Sequence, residues 1–342
     1  MKSRPVLVAT GALASIALLS ACSSTPSSTS PSASAGAGTL SVVASTNVYG
    51  SIAQAIGGED VQVTSIIDDP AQDPHEYEAT ARDQLALSEA TVVIENGGGY
   101  DPFVDSMLSS AGNTGAVVLN AAEISGLMPT EGDDASHTDD PSHTDDPSHT
   151  EDADHTHGAD DGDGHDHVEG FNEHVWYSFP AMDALAKQLA QALSDADPAD
   201  AATFQANYET FSGQLATLTT SVEDIKAKHS GEGVAITEPV PLYLLEAAGL
   251  VNKTPEEFSE AIEEGTDVPP LVLQETIQLM TDKAVAMLAY NEQTVGGETQ
   301  QVADAATAAG IPVVGFTETL PDGDDYVSCM TANVKAVADA LT

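Results

Sequence analysis

Two periods of apolar residues run along this chain. Short runs rich in β-branched and aliphatic residues occur at Thr39 to Ala44, Val61 to Ile67, Thr91 to Glu95 and Ala116 to Leu119. They predict strands. Between them, Tyr49 to Ile56 (closed by Gly57-Gly58), Thr80 to Ala90 and Asp101 to Ser110 read as helices, and Ser45-Thr46-Asn47 reads as a turn. The theme returns later. Strands are predicted over Gly233 to Thr237, Ala284 to Ala289 and Ile311 to Phe316, with helices over Pro241 to Ala248, Leu271 to Thr281, Thr299 to Ala309 and Tyr326 to Leu341. In the acidic stretch Asn252 to Gly265, Thr254-Pro255-Glu256-Glu257 resembles a helix start. Strand and helix in alternation predict parallel α/β units.

The two α/β sets are separated by helical pattern. Phe179 to Leu193 is amphipathic, and Asp195-Ala196-Asp197-Pro198 breaks it, with Asp197 as N-cap and Pro198 as first helical residue. A second helix runs from there to about Lys228, with Phe204, Tyr208, Phe211, Leu215, Leu218, Val222 and Ile225 spaced by three and four. At 1.5 Å per residue it spans about 45 Å, a strut rather than a lid. The fold class is therefore α/β: two similar parallel-sheet lobes, 39–197 and 229–342, joined by one long helix, 198–228.

The N-terminus reads as an address. Lys2 and Arg4 precede an apolar run, Val6 to Leu19, too short to span a bilayer stably, and Leu19-Ser20-Ala21-Cys22 follows. This resembles the bacterial lipoprotein signal, with 1–21 removed and Cys22 lipidated. Residues 22–38 are Ser, Thr, Pro, Ala and Gly, a flexible tether. The chain is then expected at the outer face of a cell membrane, held by a lipid anchor. Cys329 would be the one other cysteine, a small core residue with no disulfide partner.

Charge is one-sided: 9 Lys+Arg against 55 Asp+Glu, with none of the basic residues between Arg82 and Lys187. Such a surface repels nucleic acid and anionic headgroups and attracts cations. Much of the excess lies in Glu131 to Glu169. There a six-residue repeat, Ser-His-Thr-Asp-Asp-Pro, leads to His155, His157, His165 and His167, so that seven of the ten His sit in this tract with fifteen acids. This composition cannot bury a core and reads as disordered. Imidazole suits Zn, Cu and Ni. A His in every repeat favours loose metal collection over a merely solvated linker.

Outside the tract the His are His75, His174 and His229. His75 lies on a loop stiffened by Pro70 and Pro74, just after a predicted strand, where open α/β sheets place ligands. A lone His is more often structural, so that position alone does not decide it. His174 sits in Phe171 to Pro180, FNEHVWYSFP, beside the only Trp. His229 ends the long helix and reads as a solvated, dipole-favoured residue. Glu238 and Glu318 each follow a predicted strand directly. Asn96-Gly97-Gly98-Gly99-Tyr100 lacks the Lys-Ser/Thr of a phosphate loop and reads as a close turn.

DPHEYEATARD, NEHVW, TEPVPLYLLEAAGL and GFTETLPDGDDY occur in this order, with a His/Asp tract before NEHVW and a long helix after it. From Thr39 to the C-terminus the chain resembles the zinc- and manganese-binding solute-binding proteins of ABC importers. The resemblance implies a single divalent cation in the cleft between the lobes, held by His75, His174, Glu238 and Glu318. Glu173 stands where the family usually has Pro, Glu238 is at a position that is His in many zinc members and Glu in many manganese members, and Glu318 is at the place of the usual Asp. Asp324 and Asp325 are the reserves for Glu318. The implied partner is an ABC permease, and the protein is expected to be a monomer.

Two imidazoles and two carboxylates neutralise a dication and suit tetrahedral Zn²⁺. With both oxygens of each carboxylate engaged, the set suits Mn²⁺. The His tract favours zinc, and manganese is the alternative. A zinc hydrolase needs an open metal position and a general base; four protein ligands leave no such position and the chain has no HExxH helix, so an enzyme is not expected. A metal-storing adhesin is the remaining rival.

Overall fold

The structure is a computed structural model. It describes residues 39–70, 72, 77–129, 168 and 170–342. The expected signal and tether, Cys22, the 131–169 tract (all but Val168) and His75 lie outside the described residues.

The first sheet holds four parallel strands in the order β2-β1-β3-β4, namely β1 (Leu40–Thr46), β2 (Val61–Ile67), β3 (Val92–Glu95) and β4 (Val117–Asn120). The second repeats that order as β6-β5-β7-β8, with β5 (Gly233–Ile236), β6 (Val251–Asn252), β7 (Leu288–Asn291) and β8 (Val313–Phe316). All pairings are parallel. The helices of the first set are α1 (Asn47–Gly57), α2 (Ala81–Glu89), α3 (Pro102–Ala111), α4 (Ala121–Ser125) and α5 (Phe179–Ala196). The long helix is α6 (Ala201–His229), about 44 Å by its 29 residues. α7 (Leu242–Ala247), α8 (Glu256–Glu263), α9 (Pro270–Thr281), α10 (Gly297–Ala309) and α11 (Tyr326–Ala340) complete the chain. The expected two-lobe α/β architecture is the one observed.

Side-chain alternation sorts the strands into an inner and an outer face. Val42 and Ala44 of β1, Val92 and Ile94 of β3, Val234 and Ile236 of β5 and Ala289 of β7 point into one continuous apolar cluster. Phe204, Phe211, Leu215, Leu218, Val222 and Ile225 of α6 fill the same cluster. The intervening residues, Val43 and Val93 in one lobe and Ala235 and Leu288 in the other, face separate outer clusters under α2–α3 and under α8–α10. Each lobe thus has its own outer core, and the two share an inner one.

Local boundaries differ from the sequence reading in five places. Ser45 and Thr46 end β1 rather than forming a turn, and α1 starts at once at Asn47. The Asn47 amide is occupied elsewhere: it donates to Leu320 O at 3.0 Å and accepts from Leu320 N at 2.8 Å. Asp197 does not cap the long helix. Its Oδ1 accepts from Ala199 N at 3.0 Å within a turn, and α6 begins after Asp200. The strand expected over Ala284 to Ala289 is β7, four residues later. Lys283 takes a left-handed φ of 53° and Ala284 N bonds Leu279 O, so the end of α9 consumes the start of that apolar run. The two-residue β6 and the single-turn α4 carry too few residues for a periodic signal.

Candidate metal-binding site

In both sheets the strand order reverses between two central strands, β1 and β3 in one and β5 and β7 in the other. Residues just past their C-terminal ends face the crevice where such sheets bind ligands. Glu238 lies two residues beyond β5, Asn291 closes β7 and Glu318 lies two residues beyond β8. From the first lobe, the loop after β3 brings Tyr100, and the stretch before α5 brings His174.

The loop after β3 is the glycine triplet. Gly97, Gly98 and Gly99 all have positive φ, and a Cβ on Gly98 would strike the Phe171 ring. Asp101 closes the turn by accepting from Asn96 N at 2.6 Å and Gly97 N at 2.8 Å. The close turn read from the sequence is therefore what stands there, and it aims Tyr100 inward. Asn96 also donates to Glu173 O at 3.0 Å, tying this turn to the His174 segment.

His174 is fully buried, just before a 3-10 turn over Val175–Tyr177. Its ring packs edge-on against Trp176 and Tyr100, with centroids 5.1 and 6.0 Å apart. Asn172 Oδ1 lies 2.8 Å from His174 Nδ1 and also accepts from His174 N at 3.1 Å. A carboxamide oxygen can only accept, so Nδ1 is the donor in this pair and Nε2 is the ring nitrogen turned toward Glu318, the orientation by which a partner on one nitrogen directs a His to ligate through the other. Asn172 is itself anchored on the second lobe: its Nδ2 donates to Pro239 O at 3.0 Å, and its carbonyl accepts from Tyr243 OH at 2.7 Å.

His174 Nε2 lies 3.9 Å from Glu318 Oε2. Glu318 is fully buried and Glu238 is 1% exposed. One nitrogen, Asn291 Nδ2, donates to both carboxylates, to Glu238 Oε2 at 2.8 Å and Glu318 Oε1 at 2.9 Å. Thr294 donates to Glu238 Oε1, and Tyr100 donates to Glu318 Oε2 at 3.1 Å. Burial, and then the Glu318 charge, push the Tyr100 phenol well above its ordinary value, so it stays a donor. Donors of this kind favour ionised carboxylates. Gln293 braces the loop: its Oε1 accepts from Glu318 N at 2.5 Å, while its Nε2 donates to Gln72 O at 2.9 Å. The segment leading to His75 is thereby joined to the Glu318 loop at Gln72.

On the opposite side of the imidazole, Glu263 Oε1 lies 3.8 Å from His174 Nδ1. One donor atom each from Glu173, His174 and Glu263 fall within 4.8 Å of one another. Of the four expected ligands, His174 and Glu318 lie 3.9 Å apart and Glu238 shares the Asn291 amide with Glu318. Glu238 and Glu318 are not among the donors grouped with His174, and His75 is outside the described residues. The reserves are elsewhere. Asp325 caps α11, accepting from Ser328 N at 2.7 Å, and Asp324 is exposed beside it. His229 pairs with Glu232 at 3.0 Å, at the end of α6. Among the described residues no helix is long and apolar enough to cross a membrane.

Sequence reasoning missed Asn172, Tyr100, Asn291 and Glu263 as parts of the site. Asn291 had a signal, a polar residue closing a strand, but placing that strand four residues early hid it. Glu263 had none, being one acid among several on α8.

The site is a buried imidazole with carboxylates just past the C-terminal ends of β5 and β8, a nitrogen and oxygen donor set suited to a divalent cation. The chain is similar along most of its length to known proteins. A protein of Treponema pallidum (strain Nichols) named as metal-binding is 28% identical over 179 residues, 52% of this chain and 50% of its own length, so this match spans only half of that relative. The manganese ABC transporter substrate-binding lipoprotein scaA of Streptococcus gordonii is 24% identical over 338 residues, 94% of each chain. The solved periplasmic zinc binding protein TroA of Treponema pallidum superposes with a TM-score of 0.66 at 18% identity, over 89% of this chain and all of the other. The family model for ZnuA, zinc-uptake complex component A periplasmic, matches residues 42–340, and the chain belongs to that family.

Proposed function

We propose that this protein captures Zn²⁺ outside the cell, in a site formed by His75, His174, Glu238 and Glu318, and delivers it to the permease of an ABC importer. The single observation that carries the reading is the approach of His174 Nε2 to Glu318 Oε2, 3.9 Å, with Asn172 holding the proton on the far nitrogen. Two neutral imidazoles and two carboxylates leave a bound dication with no net charge. A site closed by four protein ligands retains an ion rather than presenting it to a substrate, so its work is binding and not catalysis. The chain is held at the outer face of the membrane by a lipid on Cys22 and acts as a monomer.

Manganese is the second reading. Four carboxylate oxygens from Glu238 and Glu318 can build an oxygen-rich shell, and the S. gordonii relative is named for manganese. The deciding experiment is calorimetric titration of the stripped full chain. His174→Ala is expected to abolish tight binding of one equivalent of Zn²⁺, whereas deleting 131–169 leaves that equivalent tight. The reverse result would sink the ligand assignment.

A further inference from the structure

Asn172 is the residue through which His174 meets the second lobe. Its side-chain Oδ1 accepts from His174 N at 3.1 Å and lies 2.8 Å from His174 Nδ1, while its Nδ2 donates to Pro239 O at 3.0 Å. Two of these partners have fixed roles, because a backbone N–H only donates and a backbone carbonyl only accepts. They decide which end of the amide is oxygen, and the ring nitrogen facing that oxygen is then the donor. Turning the amide over would set Nδ2 against two donors and Oδ1 against the Pro239 carbonyl. Glu263 Oε1 also lies on this side of the ring, but at 3.8 Å it is beyond hydrogen-bond length. Pro239 directly follows Glu238, so one amide links the His174 ring to the loop that carries Glu238.

We infer that Asn172 is a positioning residue for ion capture: it keeps the proton of the neutral His174 ring on Nδ1, and with the other end of the same amide it seats that ring against the second lobe. The inference rests on reading His174 as an ion ligand and needs no other member of that set. A neutral imidazole binds a metal through the nitrogen that lacks the proton, and the hydrogen bond made by one nitrogen decides the other. With the Nδ1 proton held by Asn172, the ligating nitrogen is Nε2, which lies 3.9 Å from Glu318 Oε2. The two tasks ask for different atoms. The ring needs an acceptor, whereas the seat on Pro239 needs a donor. Asp supplies the first alone, Leu supplies neither, and Asn supplies both. Tyr243 serves the seat alone, by donating to the Asn172 carbonyl at 2.7 Å.

The test uses the full chain with heavy nitrogen in its histidines, stripped of metal, in mildly alkaline buffer where imidazole is neutral. Long-range proton–nitrogen NMR spectra show which ring nitrogen holds the proton, and His174→Gln identifies the His174 signals by their loss. The unaltered chain and Asn172→Asp are expected to hold the proton on Nδ1. Asn172→Leu is expected to move it wholly or partly to Nε2 and to weaken Zn²⁺ binding about 10- to 100-fold by calorimetry, with Asn172→Asp recovering most of that loss. Tyr243→Phe is expected to leave the proton in place. A proton on Nε2 in the unaltered chain overturns the inference without any variant, so the test survives if Asn172→Leu fails to fold. The inference is equally overturned if Asn172→Leu keeps the proton on Nδ1, or if Asn172→Asp binds Zn²⁺ as weakly as Asn172→Leu, since Asn172 is then a brace between lobes and nothing more. If His174→Gln binds Zn²⁺ as tightly as the unaltered chain, it is the reading of His174 as a ligand that fails, and the place of the proton on the ring is untouched by that result.

Discussion

The Tyr100 hydroxyl donates to Glu318 Oε2 across 218 residues of chain and across the crevice between the two sheets. One lobe thus grips a carboxylate carried by the other, beside the His174 ring. Tyr100→Phe keeps the buried ring and removes the donating hydroxyl. Because the acceptor is charged and fully buried, the cost is expected to be about 1.5–3 kcal/mol. Urea unfolding of the metal-stripped chain measures it, and an unchanged midpoint would show the bond to be idle.

Glu95 gives a pH dependence. It is 5% exposed at the end of β3, and burial first, then the nearby Asp105 and Asp101 charges, push its carboxyl up to about 7 from 4.5. The folded state holds the proton more tightly than the unfolded state. Stability from this group is therefore fully present at low pH, falls as pH rises from about 4.5 to 7, and is constant above that. Glu95→Gln keeps the Oε1 that accepts from Asn120 and is expected to stabilise the chain by about 2 kcal/mol above pH 7, with little change near pH 4. Thermal melts of both forms across that range check the sign.

Cys329 is buried, and burial followed by the neighbouring Asp324 pushes its thiol up to about 11. Little thiolate exists at neutral pH, so the folded chain is expected to resist a disulfide reagent and to react fully once unfolded. Fast labelling without denaturant would contradict this.

Asp325 separates a structural acid from a metal-binding one. Its carboxylate caps α11 at Ser328 N, so Asp325→Ala is expected to cost about 1 kcal/mol of stability and leave ion affinity unchanged. Calorimetry that showed a large loss of affinity would return Asp325 to the ligand set.

Leu218 lies midway along α6, 4% exposed in the core shared by both lobes. Leu218→Ala is expected to cost about 2–5 kcal/mol, with one unfolding transition rather than two, because the inner core belongs to both sheets. Separate transitions for the lobes would argue against that shared core.

Much of the architecture was legible in the residues. The β-branched runs stand as strands, and Phe204 through Ile225 at three- and four-residue spacing is the buried stripe of α6. Parallel strands are buried on both faces, so they announce themselves as continuous apolar runs. Errors fell where polar side chains served distant partners. Asn47 looks like a turn residue, yet its amide is spent on Leu320. Asp197 looks like a cap, yet it bonds within its own turn. The strand after α9 was placed early because a left-handed Lys283 is invisible in a pattern of apolar residues.

What the chain determines by itself is periodic or local: which stretches become helix and strand, the α/β class, and the positions of acids and histidines just past strand ends. Those follow from spacing, because neighbours along an element share a face whatever else the molecule does. What only the tertiary structure decided is which of these groups meet. Nothing in the spacing of Asn172 and His174 reveals the proton on Nδ1, and nothing near Asn291 reveals that one nitrogen serves two glutamates. Hydrogen bonds between residues tens or hundreds of positions apart exist only once two sheets and a long helix have packed into one core.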